Sequence, residues 1–300
     1  MRGSDRRSGR GRNILLWVLA FLLMASAGVY QRFTGPTREL RGAYSVDGER
    51  VAYRLIRSAY SSGDTVVIVP AHAGVEGQLV YRRYPTEDEF TRVQLERRGD
   101  ELAGPLPAQP PAGKLEYHLE LETPSGPVVV PDTGQNAVIR FKGEVPLAVL
   151  IAHVAFMFVG VLVAWRAGLE ALTGGPGLNR LSWAALFLFS VGGLILGPIV
   201  QKYAFGELWT GIPFGWDLTD NKTLIMWLSW AFALVVLTRG DRKQEAGSPP
   251  ASGSRARLAV LLAAVVTVVV YLIPHSMAGS QLDYDAVDRG VAPEDAIGIG

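Results

Sequence analysis

Five long apolar runs constrain what this 300-residue chain can fold into. They cover residues 14–30, 146–165, 182–200, 223–238 and 258–273. A helix rises 1.5 Å per residue, so each run approaches the roughly 20 residues that cross about 30 Å of hydrocarbon. With 49% hydrophobic and only 19% charged residues, the chain is also more apolar than an ordinary soluble domain. We therefore predict a polytopic α-helical membrane protein with about five transmembrane helices, whose first partner is the lipid bilayer.

The distribution of basic residues predicts how the helices are oriented. Residues 1–13 carry five arginines, and the linker 239–257 is also rich in arginine and lysine. Segments of this kind stay on the cytoplasmic side of a membrane. Alternating the spans then places residues 31–145, the loop 201–222 and the acidic tail 274–300 outside the cytoplasm. This topology predicts a protein integral to the cell (inner) membrane.

The first apolar run has a second interpretation. Basic residues, a short apolar core and Ala25-Ser26-Ala27 are also the pattern of a cleaved signal peptide. The apolar run continues through Gly28, Val29 and Tyr30, which favours an uncleaved anchor over residues 14–30. Both interpretations leave residues 31–145 on the same side.

Residues 31–145 show the alternating pattern of β-strands. In KLEYHLELE, residues 114–122, the apolar side chains occupy every second position, which is typical of a half-buried strand. Six further strands are predicted at 50–57, 64–70, 78–84, 89–96, 127–131 and 136–142. Glycine- and proline-rich stretches such as GDELAGPLPAQPPAGK are read as the turns between them. The fold class is thus mixed: a transmembrane bundle over 146–273 with an inserted extracytoplasmic all-β sandwich domain. Residues 50–142 resemble an immunoglobulin-like or fibronectin type III-like domain.

The sequence carries no signature of a soluble enzyme. There is no cysteine, so thiolate metal sites and covalent haem attachment are excluded. Nucleophile elbow, zinc-helix and phosphate-loop motifs do not occur either. We predict no catalytic residues and favour a non-enzymatic protein. The net charge of +1 gives no indication of a polyanionic partner, and no nucleic acid is expected.

Two histidines lie where the topology brings them to the outer side of the membrane. His153 is inside the second apolar run, and His275 follows the last one. An ionisable side chain inside a span is costly unless it faces a partner or a cavity, so His153 is a candidate ligand. The alternative is a neutral imidazole that hydrogen-bonds a neighbouring helix.

The outer loop is unusually dense in aromatic and charged residues. In FGELWTGIPFGWDLTDNKT, residues 205–223, Trp209 and Trp216 flank a turn that Pro213 keeps out of a helix. Such indoles commonly lie at the headgroup level. Asp217, Thr219 and Asp220 precede a helix that is predicted to begin near Thr223, where an aspartate or a threonine would cap the free amides.

Residues 205–227 resemble the tryptophan-rich WWD signature of the haem-handling proteins of cytochrome c assembly. The resemblance implies that Trp209, Trp216 and Asp217 form a platform for a haem b. It further implies that His153 and His275 are the axial metal ligands, and that Lys202 or Lys222 pairs with the propionates.

Three functions remain open at this point. The first is an accessory or scaffold protein that presents the β domain and the outer loop to another exported or membrane protein. The second is the haem-handling protein that the resemblance implies. The third is a transporter or channel component, for which Pro198 and Pro274 near the span ends and the intramembrane histidine argue. The last residues, 291–300, are expected to fray.

Overall fold

The computed structural model of the protein describes residues 2–242, 253–274 and 279–298. It has a mixed fold of long helices and several β-sheets. The chain divides into two compact units, which we call the helical unit and the β unit. The helical unit comprises Met1–Gly35, Pro146–Val200 and Gly211–Met277, and the β unit comprises Pro36–Val145, Gln201–Thr210 and Ala278–Gly300.

The long helices are α1 (Arg2–Thr34), α2 (Leu147–Thr173), α3 (Leu178–Phe189), α4 (Gly197–Phe205), α5 (Leu218–Arg242) and α6 (Ser254–Leu272). A π-helix, Ser190–Leu196, joins α3 to α4, so that one apolar helix runs over Leu178–Phe205. Within the described residues, five helices are long and apolar enough to cross a membrane. The prediction of five long apolar helices is therefore confirmed, and each extends beyond its predicted run at one end or both.

Small residues let the helices of the helical unit approach closely. A Cβ atom added to Gly168 would lie 2.6 Å from the Cβ of Ala264, and one added to Gly160 would lie 2.8 Å from the Phe189 ring. Small residues play this role in membrane bundles, where van der Waals packing holds helices together. Trp230, fully buried in the same core, donates a hydrogen bond from Nε1 to Thr267 Oγ1 at 2.9 Å.

The β unit begins with eleven strands. They are β1 (Leu40–Val46), β2 (Glu49–Leu55), β3 (Ser58–Tyr60), β4 (Thr65–Pro70), β5 (Glu76–Arg83), β6 (Thr91–Gln94), β7 (Glu96–Arg98), β8 (Glu101–Leu106), β9 (Lys114–Thr123), β10 (Gly126–Val130) and β11 (Ala137–Lys142). They form a two-stranded sheet β1-β2, a three-stranded sheet β4-β8-β7 and a six-stranded sheet ordered β3-β11-β9-β5-β6, in which β10 also pairs with β9. Apolar side chains from all three sheets pack in one core.

Six of the seven predicted strands are present as single strands, and β9 buries the predicted face, Leu115, Tyr117, Leu119 and Leu121. The opposite face of β9 is less exposed than its polar residues suggest. Glu116 is buried because both carboxylate oxygens are bonded, one to Arg82 Nε at 2.6 Å and the other to Asn136 Nδ2 at 2.7 Å.

Two strand predictions need correction. The run 89–96 is not one strand, because the chain leaves β6 at the buried Leu95 and joins a different sheet as β7. The stretch read as a turn contains β8, which pairs with β4 along its whole length. Gly104 hides this strand in the sequence. A larger residue at this position would require these leucine side chains to shift, because a Cβ atom would lie 2.6 Å from Leu95 Cδ2 and 3.2 Å from Leu79 Cδ2.

The chain after α6 is structured, and the expectation that residues 291–300 fray is wrong for the described part. It forms β12 (Gln281–Leu282), the short helix α7 (Tyr284–Asp288) and β13 (Ile297–Gly298). β12 and β13 pair antiparallel, and Leu282, Tyr284 and Ala296 form a small apolar cluster. These apolar contacts order the end of the chain. The many acidic residues of this stretch made it look unstructured in the sequence.

The loop between α4 and α5 is shorter than the predicted 201–222. α4 continues through Phe205, and α5 begins at Leu218 rather than near Thr223, so only residues 206–217 are non-helical. The helix begins early because Asp217 caps it. Residues 218–222 therefore form the first turn of a helix instead of a loop.

Candidate functional site

The residues predicted to form a site fall in both units. Four belong to the helical unit: His153, Trp216, Asp217 and Lys222. Lys202 and Trp209 belong to the β unit, where the lysine is exposed and the indole half-buried. His275 lies outside the described residues.

His153 is held by a backbone carbonyl. Its Nδ1 lies 2.9 Å from the carbonyl oxygen of Gly192. A carbonyl can only accept, so Nδ1 carries the proton and Nε2 of the neutral imidazole is an acceptor. Among the described residues none bonds to Nε2. An imidazole that donates one N–H to a carbonyl and leaves the other nitrogen unprotonated has the arrangement found in metal-ligating histidines.

The π-helix makes this hydrogen bond possible. The Gly192 carbonyl accepts from the Gly197 amide, five residues on, and from His153 as well. A side chain at this position would require its neighbours to shift, because a Cβ atom added to Gly192 would lie 3.0 Å from Phe156 Cβ and 3.1 Å from Met157 Sδ. π-Helical turns are rare and occur frequently at functional sites.

Asp217 is the N-terminal cap of α5. Its Oδ1 accepts hydrogen bonds from the amides of Thr219 at 2.7 Å and Asp220 at 3.1 Å. These amides have no partner within the helix, and a capping carboxylate satisfies them. The carboxylate is buried, so capping engages the group that the resemblance assigns to a haem platform.

The next two polar residues fasten the loop to α5. Asp220 Oδ2 accepts from the amide of Gly211 at 3.1 Å, and Asn221 Oδ1 accepts from the amide of Ile212 at 2.7 Å. Gly211 is packed so closely that an added Cβ atom would lie 2.6 Å from the Cβ of Asp220. The polar side chains of this stretch thus form hydrogen bonds with the backbone of the loop.

Lys222 joins α5 to the end of α6. Its side chain is buried, and Nζ donates to the carbonyls of Ile273 at 2.7 Å and Pro274 at 3.2 Å. The last carbonyls of a helix lack partners within it, and the helix dipole favours a cation at that end. Lys222 therefore serves as a cap between helices.

Trp216 is the most exposed aromatic residue of the loop, at 73% of its surface. Phe214 and Ile212 beside it are also exposed. The side chains of these three residues form an apolar tip on the helical unit.

Sequence reasoning missed a buried ion pair in α2. Arg166 Nη1 lies 2.6 Å from Glu170 Oε2, and the two side chains are only 4% and 7% exposed. Arg166 Nη2 also donates to Asn13 Oδ1 of α1 at 2.8 Å, while Glu170 Oε1 accepts from the amide of Gly177 at 2.9 Å. The signal was available, because opposite charges four residues apart on a helix pair with each other.

No group of three or more histidines and carboxylates among the described residues could hold a metal ion. The β unit has a polar cleft of about 470 Å³, with Arg82, Tyr84, Glu116 and Asp285 among its lining residues. A comparison of the sequence with models of known protein families finds no match, and a comparison with curated proteins finds none either.

Proposed function

We propose that the protein is an integral membrane accessory or scaffold protein. In this proposal the helical unit anchors the chain in a bilayer, and the β unit binds another exported or membrane protein. The division of the chain into two compact units with separate apolar cores carries the proposal.

The outer surface of the helices supports insertion in lipid. Each of the five helices exposes large apolar side chains, among them Leu19, Val154, Phe187, Phe232 and Leu262. Soluble monomers rarely expose continuous apolar patches of more than a few hundred Å² to water. Helices that are apolar all round belong either in a protein core or in a membrane.

The orientation follows from the basic segments, with residues 1–13 and 239–257 in the cytoplasm. Because the chain has no cysteine, single introduced cysteines give an unambiguous test. A membrane-impermeant maleimide should label Phe214→Cys in intact cells from which any outer membrane has been removed. It should label Leu172→Cys, an exposed position at the C-terminal end of α2, only after the membrane is permeabilised. The reverse labelling pattern would show that the proposed orientation in the membrane is wrong.

The first helix is proposed to remain as an anchor rather than be removed as a signal peptide. In the structure, Leu16, Ala20 and Met24 are buried, and α1 packs against α2 and α6. Cleavage after residue 27 would uncover this surface and remove Asn13 from Arg166. The intact mass of the purified protein distinguishes the two forms.

The β unit is proposed to be a sandwich of the immunoglobulin-like or fibronectin type III-like kind. The shared core of its three sheets and its mainly antiparallel pairing support this arrangement. Surfaces of such domains commonly bind other proteins, but the fold by itself identifies no partner.

Photo-crosslinking in the native membrane tests the binding role. A photoreactive residue replaces, one at a time, the exposed Tyr60, Ile68 and Val129 of the β unit and the exposed Phe232 of α5. We expect a protein adduct of discrete mass from at least one β-unit position and lipid adducts from Phe232. The absence of any protein adduct from all three positions of the β unit would contradict the proposal.

Haem handling is a second candidate, and the geometry of His153 favours it. The imidazole donates its Nδ1 proton to a carbonyl. Its Nε2 is then available as an axial ligand of a haem iron. The other groups fit less well, since Asp217 and Lys222 are engaged within the helical unit. The proposed haem is therefore a b-type group held through His153 and covered by exposed indoles such as Trp216.

A visible spectrum of the purified protein tests this candidate. A Soret band that is lost in His153→Ala and kept in the matched variant His118→Ala, whose histidine lies on β9, would support haem. A colourless protein after expression with excess haem would contradict the haem proposal. The transporter hypothesis remains a sequence-based prediction.

A further inference from the structure

The C-terminal segment, residues 279–298, packs on one edge of the β unit. Five residues of that edge contact it through hydrogen bonds, and we call them the acceptor edge: Arg83, Gln109, Ala112, Lys114 and Arg140. The segment carries five carboxylates and a single arginine, whereas the acceptor edge carries three cations, of which Arg83 is also paired with Asp88 of the β unit. The two surfaces are therefore complementary in charge.

Tyr284 is the anchor of the segment. Its hydroxyl accepts a hydrogen bond from the Lys114 amide at 2.9 Å, and its proton has the Lys114 carbonyl at 2.9 Å and Gln109 Oε1 at 3.0 Å within reach. Burial raises the pKa of this hydroxyl to about 12. Gly113 leaves the space it needs, because a Cβ atom there would lie 3.0 Å from the hydroxyl oxygen. A buried aromatic side chain with a satisfied polar tip is the usual centre of a binding interface.

Arg83 adds a charged contact that can be released at little cost. Its Nη1 and Nη2 donate to the two oxygens of Asp288 at 2.7 and 2.8 Å. The same guanidinium donates to Asp88 of the β unit at 2.5 and 3.1 Å. If the segment leaves, Arg83 stays paired with Asp88, and Asp288 returns to water from a position where its side chain is already 53% exposed. Departure therefore leaves the Arg83 guanidinium with a charged partner.

Lys114 makes the bound state reversible. Its Nζ donates to Gln281 Oε1 at 2.7 Å, and burial lowers the pKa of the ammonium to about 8. Removing the segment would rehydrate this ammonium and relieve the cost of burying it. Arg140 contributes a further hydrogen bond to the carbonyl of Ser280. The edge is thus a site with an anchor pocket for one aromatic ring and cations around it.

We propose that the acceptor edge is the partner-binding site of the β unit and that it takes an acidic chain segment with a tyrosine four residues before an aspartate. The C-terminal segment occupies this site in cis and competes with the partner. The proposal rests on the proposed scaffold function and names the chemistry by which the β unit would recognise its partner. A tethered ligand competes at an effective concentration in the millimolar range, so a partner binds only when its own affinity or local concentration is high.

A peptide with the sequence of residues 279–298, labelled with a fluorophore, is the probe. Its binding to the full-length protein in detergent micelles is measured by fluorescence anisotropy. Two proteins are compared: the wild type, and the variant Tyr284→Ala/Asp288→Asn, whose own segment is weakened while the acceptor edge is intact. A control peptide carries the same two substitutions.

We expect the variant to bind the native peptide at least about tenfold more tightly than the wild type does, and the control peptide to bind neither. Binding should weaken with salt because charged groups contribute. Failure of the native peptide to bind the variant, or equal binding to both proteins, would overturn the proposal.

Two further measurements cover a variant that fails to fold. Tyr284→Phe removes only the hydroxyl contacts and should give an intermediate gain in peptide affinity. In the wild type, saturating peptide should speed hydrogen exchange of the amides of residues 282–288, because it displaces the segment. Unchanged exchange under saturating peptide means that the segment is a permanent part of the β unit, which refutes the competition.

The peptide-binding experiment and the crosslinking experiment test the two proposals separately. Peptide binding without any protein adduct in the crosslinking experiment would leave the site standing and remove the scaffold role. Protein adducts from the β unit without peptide binding would keep the scaffold role and refute this site.

Discussion

Arg166 and Glu170 form an ion pair inside the helical unit, and its geometry predicts a distinctive pattern of stability. The pair is joined to α1 through Asn13 and to the start of α3 through the Gly177 amide. With side chains 4% and 7% exposed, neither charge has access to water when its partner is removed. The perturbation we consider is the replacement of each residue singly by leucine and of both together as Arg166→Met/Glu170→Leu.

The magnitudes follow from what each variant leaves behind. Arg166→Leu leaves a buried carboxylate with only the Gly177 amide, which should cost about 3–5 kcal/mol. Glu170→Leu leaves a buried guanidinium with Asn13 and the ring face of Trp17 but without an anion, and the cost should be similar. The double variant leaves no buried charge, only an unpaired amide oxygen and an unpaired N–H, so its loss should be about 1–3 kcal/mol. The double variant should therefore be more stable than either single variant.

Thermal unfolding in detergent micelles, followed by tryptophan fluorescence, measures the pattern. At about 2–4 °C per kcal/mol, each single variant should melt about 6–20 °C below the wild type. Arg180→Leu is the matched control, because Arg180 is exposed on α3 and should shift the stability by no more than about 0.5 kcal/mol.

Two results would refute this reasoning. If Arg166→Leu melts together with the Arg180→Leu control, the guanidinium is not buried in a charge pair. If the losses of the two single variants add in the double variant, the two charges do not depend on each other, since coupled partners give non-additive effects.

Three further predictions concern residues that the structure assigns to other contacts. Lys222→Met should cost about 1.5–3 kcal/mol, because two carbonyls at the end of α6 lose a charged donor, whereas the exposed Lys202→Met should leave the melting temperature unchanged. Asp217→Ala should cost about 0.5–2 kcal/mol through loss of the helix cap, and Asp217→Asn, which keeps an acceptor, should retain most of the stability in the same melting assay. The β unit should gain stability as the pH rises from about 8 towards 10, because the pKa of Lys114 falls from 10.5 to about 8 on folding and the unfolded chain binds more protons in this window; circular dichroism melts should show this rise in the wild type but not in Lys114→Met.

The sequence predicts the long apolar helices and the alternating strands well because each pattern has one physical cause. An apolar run of this length has few soluble uses, and strict alternation places one face of a strand in a core. Strand β9 illustrates this, since its four apolar residues are all buried as predicted. Strand β8 illustrates the limit. Gly104 and Pro105 are read as turn residues, yet contacts with Leu79 and Leu95 from distant parts of the chain decide the structure there.

Helix ends and polar contacts were harder to predict because they depend on partners far away in sequence. The early start of α5 depends on one carboxylate accepting two amides, and the same letters are equally compatible with a loop. Lys222 was read as a group available to a ligand, but its partners are carbonyls 51 and 52 residues further along the chain. Nothing in the local sequence specifies that contact.

Hydrogen bonds to the backbone also reduce the number of side chains in the helical unit that are available to a ligand. A polar side chain near a membrane surface has two uses, satisfying the backbone or binding a ligand, and a group engaged in the first is less free for the second. Asp217, Asp220 and Lys222 are engaged in this way. His153 differs because one hydrogen bond, to Gly192, fixes its tautomer while Nε2 keeps its lone pair. A single helix-to-helix hydrogen bond would need only a donor, which glutamine also supplies, whereas an axial ligand needs an imidazole nitrogen. The proposed haem site therefore depends on His153 rather than on the charged residues of the loop.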